Sequence, residues 1–136
     1  MEIKNDSVRL TRLDYYHVLY EKIVRIDVYD FKWLKYFLGI VLELKHGDSK
    51  EIEFCNLRNV RIENIKSFKI VLGRDDNLVL QKNTEHLPVF VWTINLDTLV
   101  YIITTIIDFI KDKNSGHHYY YEKNDYVVVF SYQAVM

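Results

Sequence analysis

Apolar and polar residues alternate with a period of two through the middle of the chain. Within residues 37–45, Leu38, Ile40, Leu42 and Leu44 share one face, and the other face ends in Glu43 and Lys45. His46, Gly47, Asp48 and Ser49 form a turn cluster, after which Ile52 and Phe54 alternate with Glu51 and Glu53. Successive strand side chains point to opposite faces, so this pattern predicts a β-hairpin. Val60 and Ile62 alternate with Arg61 and Glu63, and Phe68, Ile70 and Leu72 make a further strand face. Residues 73–77 turn the chain and residues 78–81 return. Short strands joined by tight turns predict a mostly antiparallel sheet with one apolar face.

Residues 89–94 are continuously apolar and predict a buried strand, with Pro88 at its first position, where a missing N–H is tolerated. A helix follows over residues 96–113. Leu99, Val100, Ile102, Ile103, Ile106, Ile107, Phe109 and Ile110 fall on one half of the helical wheel, and Tyr101, Thr104, Thr105, Asp108, Lys111 and Asp112 on the other. That is a 3.6-residue period with a wide apolar arc. Asn95 or Asp97 can cap its start. So many β-branched residues make a poor intrinsic helix, so packing on the sheet must hold it. The tail reads as a second hairpin, with arms at 117–121 and 126–132. Near the start, Val24, Ile26 and Val28 alternate like a strand, whereas Leu10, Leu13, Tyr16, His17 and Tyr20 share a helical face. A short N-terminal helix is the favoured reading of residues 8–20. The whole is an α+β fold: a mostly antiparallel sheet with one long C-terminal amphipathic helix packed on its apolar face. No linker divides the chain, so residues 1–136 read as one globular domain.

Composition narrows the function. With 49% hydrophobic residues the chain is not disordered. A lone cysteine excludes an internal disulfide framework and fits a cytoplasmic location, as does a start without a signal-peptide layout. Between residues 87 and 107 only Asp97 is charged, but Pro88, Asn95 and four threonines interrupt the run, so no membrane span is expected. The net charge of −1 hides a split: 13 Lys+Arg against 11 Asp+Glu over residues 1–69, and 5 against 8 over residues 70–136. Five of the eleven tyrosines fall in the acidic part, from Tyr119 onward. Aromatic stacking on nucleic acid needs a basic surround, so nucleic acid is not the expected partner.

The search for chemistry returns mostly exclusions. Gly39, Gly47, Gly73 and Gly116 are isolated, so no phosphate-cradling loop can form. Of the histidines, only His117 and His118 are adjacent, and neighbours on a strand point apart, so no metal or other cofactor is implied. Carboxylates near Cys55 would raise its pKa, which is wrong for a nucleophile. Asp75 with Asp76, and Asp108 with Asp112, read as solvated acids. No catalytic residue emerges. The tyrosine cluster reads better as a binding surface, because tyrosine combines large apolar area with a hydroxyl and few rotors. The candidate partner-binding residues are Tyr119, Tyr120, Tyr121, Glu122, Asp125 and Tyr126, with Asp108 and Asp112. Their acids would steer a basic partner. The sequence therefore points to a small non-catalytic binding protein, an inhibitor or immunity-type protein that neutralises a partner enzyme, a basic toxin or a nuclease. The alternatives are a small hydrolase or nuclease using His117 and His118 with a tyrosine or acid, and a structural subunit that self-associates through a sheet edge.

Overall fold

Asp30 and Gly47 bracket a helix where period-two alternation predicts a strand. In this computed structural model, residues 10–18, 21–84, 87–112, 116–123 and 126–133 are described, and the side chains of all of these but 82–84, 117 and 119–123. Helix α1 (Phe31–His46) starts with the Asp30 carboxylate accepting from Lys32 N–H. It ends with Gly47 at φ 83°, a left-handed position that glycine adopts without strain, where Asp48 N–H donates to the Glu43 carbonyl at 3.0 Å. The predicted turn cluster is thus a helix C-cap. The run through Phe37 and Leu44 is apolar almost throughout and supports both periods. Its buried residues, Trp33, Leu34, Phe37, Val41 and Leu44, follow the helical one.

Strands β1 (Thr11–Val18) and β2 (Glu21–Val28) precede α1. The predicted N-terminal helix is therefore a strand. Leu13 and Tyr15 of β1 face inward, while Arg12 pairs with Glu63 of β4 and with Asp14 of its own strand. Cross-strand charge pairing, not helical amphipathicity, explains this polar pattern. After α1 come β3 (Glu51–Glu53), a single 3-10 turn (Phe54–Asn56), β4 (Val60–Glu63), β5 (Ser67–Leu72), β6 (Asn77–Thr84) and β7 (Leu87–Ile94). Helix α2 (Leu96–Asp112) and strands β8 (Gly116–Lys123) and β9 (Tyr126–Tyr132) complete the order. The α+β class holds, but a second helix, α1, joins the expected one.

The strands form two sheets, β4-β1-β2-β9-β8 and β3-β5-β7-β6. Both are mixed, which corrects the antiparallel expectation. Three of the seven ladders are parallel: β1 with β4, β2 with β9, and β5 with β7. Parallel neighbours are joined by long crossovers, and local alternation carries no trace of them. Nor do β5 and β6 pair across their tight turn. β7 returns between them, antiparallel to β6 and parallel to β5. The junction is close: Gly73 N–H donates to the Ile94 carbonyl at 2.7 Å, and a Cβ on Gly73 would collide with Thr93 Cγ2.

One core joins both sheets and both helices. Trp33 stacks on Phe37 at 4.9 Å, and Phe37 lies 5.9 Å from Phe130 of β9 and 5.4 Å from Phe54. Phe54 reaches Phe68 of β5, which stacks on Trp92 of β7. From α2, Phe109 packs on Phe130 and Tyr132. The sheets also touch directly, where Phe90 sits between Tyr15 and Tyr126. The stretch from 87 to 107 divides into β7 and α2, and among the described residues no helix is long and apolar enough to cross a membrane.

Helix α2 keeps the predicted limits closely, and the Asn95 side chain caps it by accepting from Thr98 N–H at 2.8 Å. Its wheel is shifted slightly: Val100 and Ile107 are exposed, whereas Thr105 is buried, its hydroxyl donating to the Tyr101 carbonyl.

Candidate functional site

The tyrosine-rich tail folds as the β8–β9 hairpin, and β8 is an edge strand of its sheet. Tyr119 pairs with Val129 and Tyr121 with Val128, so the pairing slips by one residue at Tyr120, a bulge. Glu122 pairs with Val127 on the same ladder, and Asp125 lies outside the described residues. Tyr126 opens the return strand β9. Its half-buried ring meets Phe90 edge-on at 5.7 Å, with the Lys22 ammonium 5.0 Å from its centroid.

Helix α2 supplies the flank of this edge. Tyr101, Asp108 and Asp112 are exposed and recur at i, i+7 and i+11, one row of a helix. The Tyr101 hydroxyl lies 2.8 Å from His118 Nδ1 on β8, and Phe109 packs edge-on against the same imidazole. The predicted acids Asp108 and Asp112 are thus brought to the side of the helix that adjoins β8. His117, on the same strand, pairs with Ser131. Among the described residues no group of histidine, cysteine and carboxylate side chains could hold a metal ion.

Cys55 is half-buried, with Sγ donating to the Lys66 carbonyl at 3.3 Å. Burial and the nearby Glu53 carboxylate push its thiol up to about 11. It is therefore protonated and unreactive near neutral pH. Glu53 itself is structural, accepting from the Ser67 hydroxyl and from the N–H groups of Cys55 and Phe68. Asp76, expected to be a solvated acid, is instead a splice. Its carboxylate accepts from Asn95 N–H at 2.8 Å and from the Thr98 hydroxyl at 2.5 Å, tying the β5–β6 turn to the start of α2. Asp75 is exposed, in keeping with its reading as a solvated acid.

The opposite edge of the five-stranded sheet holds a charged network that sequence reasoning did not assemble, although it read Arg61 and Glu63 on a strand. Arg12 donates from Nε to Glu63 at 2.7 Å and from Nη2 to Asp14 at 2.9 Å, and Arg61 Nε reaches the other oxygen of Glu63 at 2.9 Å. Asn64 donates to Asp14, and Arg25 and Ser131 both donate to Asp27. Asp14 and Asp27 are buried, a costly place for a carboxylate unless it is paired as here. The signal was present: Arg12, Asp14, Arg25 and Asp27 alternate with apolar residues. The helical reading of residues 8–20 concealed the half of it that Arg12 and Asp14 carry. A second tyrosine–histidine pair, Tyr15 hydroxyl to His17 Nε2 at 2.8 Å, was hidden by the same reading.

Comparison with known protein families, curated proteins and solved structures found no match.

Proposed function

We propose that this chain is a small non-catalytic binding protein, an inhibitor or immunity-type protein that neutralises a basic partner enzyme or toxin in the cytoplasm. One observation carries the reading: the tyrosine-rich strand β8 is a sheet edge, flanked by the exposed row of Tyr101, Asp108 and Asp112 on α2. An edge strand offers unpaired backbone groups to a partner. Tyrosine and carboxylate side chains beside it suit a surface rich in lysine and arginine.

The test is co-expression with toxins encoded beside this gene, followed by pull-down of any complex. Protection and a stable complex are expected. Asp108→Lys with Asp112→Lys, both at exposed positions, should weaken that complex by about 1–3 kcal/mol, most of it lost again at high salt. Unchanged toxicity and no complex with any neighbour-encoded protein would sink the reading. A hydrolase or nuclease is the second reading, favoured by the hydrogen-bonded Tyr101–His118 pair. His118→Phe separates the two. It keeps a ring against Phe109 and removes the imidazole, so a hydrolytic activity would vanish while binding would persist.

A further inference from the structure

We propose that the β4 edge of the five-stranded sheet, together with the start of α1, binds an acidic peptide segment of a partner protein. Two pockets build the site. One, of about 340 Å³, is lined by Leu10, Arg12, Tyr29, Arg61 and Glu63. The other, of about 180 Å³, is lined by Asp30, Lys32, Trp33, Tyr36, Arg58 and Asn59. They adjoin because the same two stretches wall both: residues 29–30 after β2, and residues 58–61 leading into β4. The Thr11 N–H, donating to the Asn59 carbonyl at 3.0 Å, holds the second stretch against β1.

Charge decides the ligand. The linings hold four cationic side chains, Arg12, Lys32, Arg58 and Arg61, against two carboxylates, Asp30 and Glu63. Glu63 is shared by Arg12 and Arg61, and the Arg61 side chain remains 67% exposed. Lys32 and Arg58 form no ion pair among the described residues.

Arg58 is also positioned in advance. Its guanidinium lies 4.3 Å from the Tyr36 ring centroid, its N–H donates to the Tyr36 hydroxyl at 3.2 Å, and its carbonyl accepts from Trp33 Nε1 at 2.7 Å. A guanidinium stacked on a ring keeps its in-plane donors for a carboxylate, which it grips with two parallel hydrogen bonds. The two carboxylates in the lining argue for a peptide over a phosphate backbone. Nucleic acid brings a charge at every step and would meet Asp30 or Glu63. A peptide places its carboxylates singly and brings N–H groups that can donate to those two acids. This site stands apart from the β8 edge, with β1, β2 and β9 between them.

The probe is a fluorescein-labelled peptide alternating glutamate with glycine, followed by fluorescence polarisation with the full chain at low and physiological salt. Saturable binding that weakens as salt rises is expected. Arg58→Ala with Arg61→Ala should lower the affinity about tenfold or more. Arg58→Lys should restore only part of the loss, since an ammonium lacks the fork. Circular dichroism establishes that each variant is folded, and Lys32→Ala provides a second, exposed position whose loss should also weaken binding. The proposal is overturned by any of four results: no saturable binding, equal binding by the folded double variant, equal binding of a lysine–glycine peptide, or tighter binding of a single-stranded oligonucleotide through the same arginines.

Discussion

Thr11 places a hydroxyl where almost no water reaches. It is 1% exposed, and its Oγ1 has no hydrogen-bond partner among the described residues. An unpaired buried hydroxyl costs about 1–3 kcal/mol. Thr11→Val keeps the shape and removes the polar atom, so it should raise stability by about 1 kcal/mol, read as a rise of a few degrees in the thermal midpoint. A fall would mean that the hydroxyl is satisfied after all. Asp14, Asp27 and Glu53 show the opposite solution, each carboxylate accepting from at least two donors. Cys55 makes a separate prediction. Its thiol is raised to about 11 in the folded chain, by burial first and Glu53 second. The stability this gives is whole below about pH 8.5, where the thiol is protonated in both states. Above that, the unfolded chain loses a proton that the folded chain retains, so stability falls as pH rises through 11. Tyr15 and Tyr132, both raised by burial, add to the fall at higher pH. Cys55→Ser keeps a hydrogen-bond donor without the titration and should flatten the first part of this loss, as measured by urea midpoints across the alkaline range.

At the scale of elements, β5, β7 and β6 fit closely where they cross. Gly73→Ala sets a methyl group against Thr93 Cγ2 and should destabilise the fold by about 1–3 kcal/mol. Adding Thr93→Ser removes the opposing methyl and should recover most of the loss, a coupling that a double-mutant cycle in urea would measure. The same crossing marks where sequence patterns stop being informative. Helix α2 was legible because Asn95, its cap, precedes a clean 3.6-residue period. Helix α1 was not, because Leu38, Ile40, Leu42 and Leu44 also alternate within a nearly continuous apolar run. Strand β1 was misread because Tyr16 and His17 complete a helical face that exists only on paper. The insertion of β7 and the parallel pairings depend on residues far apart in sequence, which no local period records. The β8 tyrosines were legible as a strand. That this strand is an edge, and that Asp108 and Asp112 lie beside it, could come only from the fold. Of the paired arginines of the other edge, Arg12 was lost with β1, whereas Arg61 was read on its strand.

Across the whole molecule, Phe37 is the hub. It touches Trp33 on its own helix, Phe54 beside the four-stranded sheet and Phe130 in the five-stranded one. Phe37→Ala should cost about 3–5 kcal/mol, because it removes a buried ring and leaves a cavity that only partly closes. Since the two sheets share one core, they should still melt together. Near-ultraviolet dichroism, which follows Trp33 and Trp92, and far-ultraviolet dichroism should trace a single transition. Two separated steps would show that the sheets are independent units.

The placement of β9 has a consequence for synthesis. It is the latest-made of the described strands, yet it lies inside its sheet, between β2 and β8. Asp27 waits 104 residues for Ser131. At about 5–20 residues per second, a ribosome takes on the order of ten seconds to cover that distance. A β1–β2 hairpin formed in this interval would present the backbone of Val24, Ile26 and Val28 along an unfilled edge, a template for a passing strand. That hazard to the newborn chain would depend on translation speed and chaperone access, which the stability of the finished molecule does not measure.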